Sequence, residues 1–322
     1  MADRKSDRQV GIIGSGLIGH SFAMLYAAAG YRVRMYDIKP EQIQHALFII
    51  DDQLQHLAKN GLLRGKLTIK EQRSLITETN DFTECVKDAF FIQECVNEGL
   101  ELKREVHSQI DSICRKDAII SSSTSTLVPS LISEGLTNKN RFIVCHPTNP
   151  PFYAPLVEVI PAPWTDPEVV FTTKELMTEI GQVPVLVKKE MEIDGFVFNR
   201  IQYAIVGECW RLYEEGVMSA EDIDKVMSEG LGRRYAFMGP LEVTYLNADG
   251  LLVFGDLYRE TLYRVQCSFG PPKKMEGPTL EKIHNEIAAR IPLDKLYERR
   301  KWRDIRLAHL QKLKNELDES HS

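Results

Sequence analysis

The stretch VGIIGSGLIGHSFA, residues 10–23, decides how the first half of this chain folds. Its apolar beginning, 10–13, predicts a buried strand, and 17–29 predicts a helix that ends at Gly30. Between the two lies the pattern G-x-G-x-x-G. A strand, this glycine pattern and a helix, in that order, are typical of a Rossmann-type unit that binds a dinucleotide.

The three glycines of this loop have separate expected roles. Gly14 makes the tight turn, Gly16 lets the backbone approach the pyrophosphate, and Gly19 lets the helix pack closely on the strand. The phosphates then lie at a helix N-terminus, where free N–H groups and the helix dipole favour an anion. The loop therefore predicts a dinucleotide site.

Asp37 narrows the choice of dinucleotide. It ends the second predicted strand, 31–36, at the position where an acid accepts hydrogen bonds from the ribose hydroxyls and repels a 2′-phosphate. This favours NAD over NADP, although Lys39 weakens the preference. FAD uses a similar loop and is the main competitor, but a chain of 322 residues with a helical second half fits NAD better.

The pattern of apolar residues predicts two domains. Two helices are expected within 40–77, and the further apolar runs predict strands at 90–96, 118–121, 142–145, 156–160 and 183–187. After these strands the chain has long helical stretches. We therefore predict an α/β fold with a Rossmann-type N-terminal domain on a mainly parallel sheet, residues 1–192, followed by an all-helical C-terminal domain, residues 193–322.

Composition excludes several classes of protein. The net charge is −6, so we expect no nucleic-acid partner. No apolar run reaches the roughly 18 residues that a membrane helix needs, so we expect no membrane partner. The six cysteines are spread without a C-x-x-C pair, which predicts no metal site. With no signal peptide in view, we expect reduced thiols and a cytoplasmic protein.

A second cluster of polar residues follows predicted strand ends. His146 comes directly after the strand 142–145, and Glu158 lies inside the apolar run 156–160, where a carboxylate needs a partner. Oxidation of an alcohol by hydride transfer needs a base for the hydroxyl proton, and an imidazole oriented by a carboxylate is suited to that task. Taken singly, each residue also fits a structural role. Downstream of a dinucleotide loop, the pair predicts a dehydrogenase.

Four motifs together resemble the 3-hydroxyacyl-CoA dehydrogenase family. They are GSGLIG at 14–19, SSSTSTL at 121–127, HPTNPP at 146–151 with Glu158 beyond it, and GFVFNR at 195–200. The resemblance covers nearly the whole chain, about residues 8–315.

The resemblance implies a role for each matching residue. His146 is implied as the catalytic base and Glu158 as its partner, with Ser125 and Asn199 holding the substrate oxygen. Backbone contacts to the pyrophosphate of the cofactor are implied for Leu17 and Ile18, beside Gly16. Positions near the nicotinamide and its ribose are implied for Glu98 and Lys103. Without the resemblance, the last two would be interpreted as a surface pair at the start of a helix.

Two substrate classes remain open within this family. One is a sugar acid such as L-gulonate, which would be oxidised at its C3 hydroxyl and needs a cation for its carboxylate. The alternative is a 3-hydroxyacyl-CoA or 3-hydroxybutyrate. Arg234, in GLGRRYAFMGP, is the candidate anchor because arginine binds carboxylates through two hydrogen bonds. An arginine that covers a helix end is an equal alternative.

Two further classes of function also stay open. The chain could be an abundant structural protein with residual activity, or an NAD-binding sensor without turnover. The complete set of His146, Glu158, Ser125 and Asn199 favours an enzyme, because neither alternative needs those residues. The resemblance further implies a homodimer formed through the helical domain.

Overall fold

The structure is a computed structural model that describes residues 5–188 and 192–320. Within those residues, eight strands form a sheet in the order β3-β2-β1-β4-β5-β6-β7-β8. The strands are β1 (Gln9–Ile13), β2 (Arg32–Tyr36), β3 (Ile76–Glu78), β4 (Phe91–Glu94), β5 (Ile119–Ser122), β6 (Phe142–Pro147), β7 (Leu156–Pro161) and β8 (Val183–Leu186).

Helices connect these strands and make up most of the described chain after the sheet. Those between the strands are α1 (Leu17–Ala28), α2 (Pro40–Lys59), α3 (Ile69–Ser74), α4 (Phe82–Val86), α5 (Leu100–Ile113), α6 (Pro129–Ser133) and α7 (Pro167–Glu179). Those after the sheet are α8 (Phe196–Glu214), α9 (Ala220–Lys225), α10 (Gly232–Tyr235), α11 (Pro240–Leu246), α12 (Leu251–Cys267), α13 (Gly277–Arg290) and α14 (Leu296–Ser320). The predicted fold class, an α/β sheet unit followed by helices, is confirmed.

β1 lies in the middle of the sheet and decides where a ligand can bind. All five of its residues are buried, and it pairs in parallel with β2 on one side and β4 on the other. From β1 the chain continues to one side of the sheet, and from β4 to the other. The carboxyl ends of β1 and β4 therefore form a topological switch point, which is where open α/β sheets bind their ligands.

β7 is the strand that interrupts the parallel order. It pairs antiparallel with β6, and β8 then pairs in parallel with β7. In the β6–β7 register, His146 lies directly opposite Glu158. Directly opposed residues have their Cβ atoms about 5 Å apart on the same face, so this register brings the two side chains together.

The short edge strand β3 was not predicted. It has three residues, of which Ile76 alone is buried, so it offers no alternation to detect. Its pairing with β2 gives it regular structure. Upstream, a capping box between Thr68 and Glu71 starts α3, the helix that precedes β3.

The described chain divides into two compact units. One contains the described residues of 1–200 together with 306–313, and the other those of 201–305 and 314–320. The domain boundary that we predicted, between 192 and 193, stays a prediction, and the adjoining residues 189–191 lie outside the described ones. Among the described helices, none is long and apolar enough to cross a membrane.

Candidate active site

The glycine loop packs directly against the end of β4. Gly14 has a φ of +97°, and a Cβ added there would lie 2.7 Å from the carbonyl oxygen of Cys95. A Cβ on Gly19 would lie 1.9 Å from the carbonyl oxygen of Gly14. Neither position therefore has room for a side chain, which agrees with the expected tight turn and close helix packing.

Gly16 is different, because its surroundings are open. An added Cβ there would meet no atom within 4 Å, and the residue is exposed. Gly16 is the N-cap of α1, and no side chain caps this helix start. The first N–H groups of α1, at Leu17 and Ile18, thus have no side-chain cap and follow an open residue, as a pyrophosphate at a helix N-terminus requires.

Asp37 follows β2 and already has a fixed orientation. Its Oδ2 accepts hydrogen bonds from the backbone N of Ser15 at 2.8 Å and from the Ser15 hydroxyl at 2.9 Å. Its Oδ1 accepts one from the backbone N of Lys39 at 3.1 Å. The acid that would bind the ribose hydroxyls is therefore held against the glycine loop, so these residues fit a dinucleotide. Sequence reasoning missed Ser15, whose hydroxyl is the residue-specific part of this contact.

His146 and Glu158 form a buried pair across β6 and β7. The Nδ1 atom of His146 lies 2.9 Å from Oε2 of Glu158, and both side chains are almost fully buried. The imidazole packs beside the rings of Phe196 and Phe198. Because Glu158 engages Nδ1, the ring nitrogen left for a substrate is Nε2, which has no hydrogen-bond partner among the described residues.

The second oxygen of Glu158 binds the start of α8. Oε1 accepts hydrogen bonds from the backbone N of Val197 at 2.9 Å and of Phe198 at 3.0 Å. These are N–H groups of the first helical turn, which have no partner within the helix and favour a negative charge. One carboxylate thus joins the imidazole to a helix terminus. No signal in the sequence indicated this second contact.

Asn199, in the same helical turn, contacts the loop after β5. Its Nδ2 donates a hydrogen bond to the carbonyl oxygen of Ser125 at 2.8 Å. We call residues 122–127 the serine loop. Its Ser125 is exposed, and Asn199 does not engage the Ser125 hydroxyl. The structure therefore brings four of the predicted residues together within the first unit: Ser125, His146, Glu158 and Asn199.

Glu98 and Lys103 do not form the surface pair that the sequence alone suggested. Lys103 is fully buried, and its ammonium group lies 2.8 Å from Oε1 of Glu94 and 3.6 Å from Oε2 of Glu98. Glu98 Oε1 accepts hydrogen bonds from the backbone N atoms of Ser125 and Thr126 at 3.2 and 3.3 Å. Both residues adjoin the serine loop, and their contacts with the cofactor stay a prediction.

Arg234 lies in the second unit, on the short helix α10. It is exposed and forms no ion pair within the described residues. Its neighbour Arg233 is engaged by Glu229 one turn earlier. Of the two adjacent arginines, Arg234 is thus the one with an unengaged guanidinium group.

Two family models match this chain. The 3-hydroxyacyl-CoA dehydrogenase, NAD binding domain, matches residues 9–191, and the C-terminal domain of the same enzymes matches 195–267. The chain belongs to the 3-hydroxyacyl-CoA dehydrogenase family. For this family member, the dinucleotide is NAD, as Asp37 predicted, and the class of reaction is the oxidoreduction of a CH–OH group.

Proteins with two different names are similar to this chain over most of its length. Lambda-crystallin from Oryctolagus cuniculus is 49% identical over 95% of this chain and 96% of its own length. L-carnitine dehydrogenase from a Pseudomonas species is 31% identical over 91% of this chain and 89% of its own. Among solved structures, an NAD⁺-dependent dismutase, 5-formyl-3-hydroxy-2-methylpyridine 4-carboxylic acid 5-dehydrogenase, has a TM-score of 0.80 and 26% identity, covering 95% of this chain and 98% of that one.

Proposed function

We propose that this chain oxidises the C3 hydroxyl of a sugar acid, L-gulonate, to 3-dehydro-L-gulonate with NAD⁺. The observation that carries the proposal is the buried contact between His146 Nδ1 and Glu158 Oε2 at 2.9 Å. It leaves Nε2 of the imidazole as the acceptor for a hydroxyl proton. Bound NAD⁺ would supply the acceptor for the hydride that leaves C3 of the substrate.

Within this proposal, the proton and the hydride leave the same alcohol. His146 Nε2 takes the O–H proton while the C3–H bond breaks, and the oxygen becomes the carbonyl oxygen of the product. Glu158 stabilises the imidazolium that forms, because its Oε2 already accepts from Nδ1. The burial of the pair strengthens this stabilisation, since nearby water would otherwise screen it.

Ser125 and Asn199 are proposed to hold the reacting oxygen. The bond from Asn199 Nδ2 to the Ser125 carbonyl fixes the serine loop against α8 and leaves the Ser125 hydroxyl available for the substrate. A hydroxyl donor at the oxygen stabilises negative charge that develops there in the transition state.

A sugar acid also needs a cation for its carboxylate, and we propose Arg234. Its guanidinium group has no ion-pair partner among the described residues, whereas Arg233 is bound by Glu229. In a purified enzyme, Arg234→Met is expected to raise KM for L-gulonate at least about tenfold, as loss of a charged hydrogen-bonded partner does. Arg233→Met is the matched control and should leave KM unchanged. An unchanged KM in Arg234→Met would refute the anchor.

The experiment that tests the proposed substrate is a screen with NAD⁺, following the absorbance of NADH. L-gulonate, L-carnitine, 3-hydroxybutyrate and a 3-hydroxyacyl-CoA are compared at equal concentration. The proposal expects the highest kcat/KM with L-gulonate. A higher kcat/KM with any of the other three would replace it with that substrate.

L-carnitine is the second candidate because dehydrogenases with that name are related to this chain at 31% identity. It is itself a 3-hydroxy carboxylate, so the same base and the same carboxylate anchor would act on it. It differs in carrying a quaternary ammonium group, which aromatic faces bind by cation–π contact. The screen distinguishes the two substrates directly.

We further propose that the protein is cytoplasmic and forms a homodimer through its helical unit. Similarity to a lambda-crystallin also keeps a structural role open. Turnover of any hydroxy acid at a rate that His146→Gln abolishes would favour the enzyme over a structural protein and over an NAD sensor.

A further inference from the structure

Glu94, at the end of β4, has a fully buried carboxylate that no step of the proposed reaction uses. Its Oε1 accepts hydrogen bonds from the backbone N of Val96 at 2.7 Å and from the ammonium group of Lys103 at 2.8 Å. Its Oε2 accepts from the hydroxyl of Ser122 at 2.6 Å and lies 3.1 Å from Nε2 of His107. Each oxygen thus has two partners, as a buried charge requires.

These partners come from three separate segments of the chain. Val96 follows β4, Lys103 and His107 lie on α5, and Ser122 is the last residue of β5. His107 is itself fully buried and meets the ring of Phe142 edge-on. One carboxylate therefore sets the spacing between α5 and the two strand ends that border the candidate site.

Two routes lead from Glu94 to Ser125. In the first, the Ser122 hydroxyl also accepts a hydrogen bond from the backbone N of Thr124 at 3.3 Å, next to Ser125. In the second, Lys103 lies 3.6 Å from Glu98, whose other oxygen accepts the backbone N of Ser125. The position of Ser125 thus depends on Glu94 from both sides.

The carboxylate keeps its charge under these contacts. Burial alone would raise the pKa of Glu94, but hydrogen bonds and charge from His107 and Lys103 outweigh it and lower the pKa to about 2. A neutral replacement of the same shape therefore removes a full charge opposite Lys103. This makes the glutamine variant a test of charge and not only of packing.

We infer that Glu94 is a positioning residue, which holds the serine loop in place for the substrate oxygen, directly through Ser122 and indirectly through Lys103 and Glu98. The inference rests on the proposed function, because that function assigns the oxygen contact to Ser125. Small displacements of a substrate-orienting group, on the order of 1 Å, lower rates by up to about a hundredfold. Glu94 would act on the rate in this way without touching the substrate.

Amide hydrogen exchange of the cofactor-free full-length chain tests the inference without any turnover. The variants are Glu94→Gln and Ser122→Ala, and the matched control is Ser133→Ala. Ser133 is equally buried, donates to the carbonyl of Pro129 at 2.8 Å and accepts from Trp164 at 3.1 Å, and neither partner belongs to the serine loop. We expect exchange of amides 123–127 to accelerate at least about tenfold in both variants and to stay unchanged in the control.

Steady-state kinetics then show whether the loosened loop matters. Both variants should lower kcat at least about tenfold, with KM for the substrate changed by less than about threefold, because binding groups elsewhere are intact. Unchanged exchange at 123–127 in both variants, or equal acceleration in Ser133→Ala, would overturn the inference. A wild-type chain inactive on every hydroxy acid would instead overturn the proposed function, and the exchange result would still decide the role of Glu94 in holding the loop.

Discussion

The two oxygens of Glu158 carry out separate tasks at the scale of single residues. Oε2 accepts from His146, while Oε1 accepts two backbone N–H groups of α8. An ionised carboxylate can do both because it has acceptor sites only. A glutamine would offer one acceptor and one donor, so it could satisfy the helix or the imidazole but not both in the same geometry.

We predict that His146→Gln and Glu158→Gln each lower kcat by at least about a hundredfold, the usual scale for loss of a general base or its orientation. Binding of NADH, measured by fluorescence titration, should stay within about threefold, because the glycine loop is untouched. His284→Gln, at an exposed position on α13, is the control. Wild-type kcat in purified His146→Gln would show that another group removes the proton.

His20, directly after Gly19, makes the stability of this chain sensitive to acid. It is almost fully buried, and its Nε2 has no hydrogen-bond partner in the part of the chain that the structure describes. Burial lowers the pKa of His20 from 6.5 to about 4, although carbonyls of Gly16 and Ser15 offset part of this effect. The unfolded chain therefore takes up this proton at a higher pH than the folded one does.

The consequence is a loss of stability as the pH falls. The contribution of His20 is complete above pH 6.5 and disappears as the pH falls through about 4, amounting to roughly 3 kcal/mol for a shift of this size. Denaturant unfolding at several pH values should show a shallower decline between pH 7 and 4 in His20→Gln than in wild type. A parallel decline in both proteins would contradict this account.

At the scale of elements, the first turn of α1 separates folding from binding. A methyl group at Gly19 has no room, since it would lie 1.9 Å from a backbone oxygen, whereas at Gly16 it meets nothing within 4 Å. The φ of Gly16 is −61°, outside the left-handed region that favours glycine. Gly19 is thus needed for the packing of the helix, whereas Gly16 leaves space for a ligand, although both are glycines of the same motif.

We predict that alanine at Gly19 lowers stability, whereas alanine at Gly16 weakens NADH binding. Gly19→Ala should lower the free energy of unfolding by about 3 kcal/mol or more, because backbone must move to admit the methyl group. Gly16→Ala should leave the melting temperature within about 2 °C, yet weaken NADH binding at least about tenfold by occupying the space of the pyrophosphate. Calorimetry and fluorescence titration measure the two effects, and an equal loss of stability in both variants would count against this distinction.

The elements that the sequence predicted well are the long periodic ones and those with glycine or capping signals. The strand at 10–13, the helix at 17–29 and the two helices within 40–77 agree with the structure within a few residues. β3 escaped because three residues carry no periodicity. Its structure depends on pairing with β2, which is a tertiary effect.

The site was predictable where its chemistry lies in one segment. The glycine loop and the pair His146–Glu158 are local patterns. In the structure, Asp37 contacts the glycine loop through Ser15, and His146 contacts Glu158. Glu94 was not predicted, because its side-chain partners lie on two different elements, α5 and β5, and no motif in the sequence links them. The burial of Lys103 was not predicted from its sequence context either, because a lysine near the start of an acidic helix is usually exposed.

At the scale of the whole molecule, the helical unit exposes many large apolar side chains. Leu252 on α12 is 87% exposed and Leu241 on α11 is 77% exposed, and no residue of α12 is buried. Exposed apolar side chains in such number are typical of a surface that contacts another protein. They support the proposed homodimer through this unit.

We predict that light scattering after size exclusion gives the mass of a dimer for the wild-type chain, and that Leu252→Glu shifts it toward the monomer. A charge buried in an apolar interface without a partner disfavours association. Phe48→Glu, at an exposed apolar position on α2 of the first unit, is the control and should remain dimeric. A monomeric wild type at micromolar concentration would contradict the proposal.

The antiparallel pairing of β6 and β7 has a consequence for refolding experiments. Because side chains alternate along a strand, a slip of one residue would turn Glu158 to the opposite face of the sheet and leave His146 without its partner. A chain refolded with that error could regain its helices, and thus its circular dichroism, without regaining turnover. The fraction of activity recovered, divided by the fraction of helical signal recovered, therefore measures how faithfully the last strands of the sheet find their register.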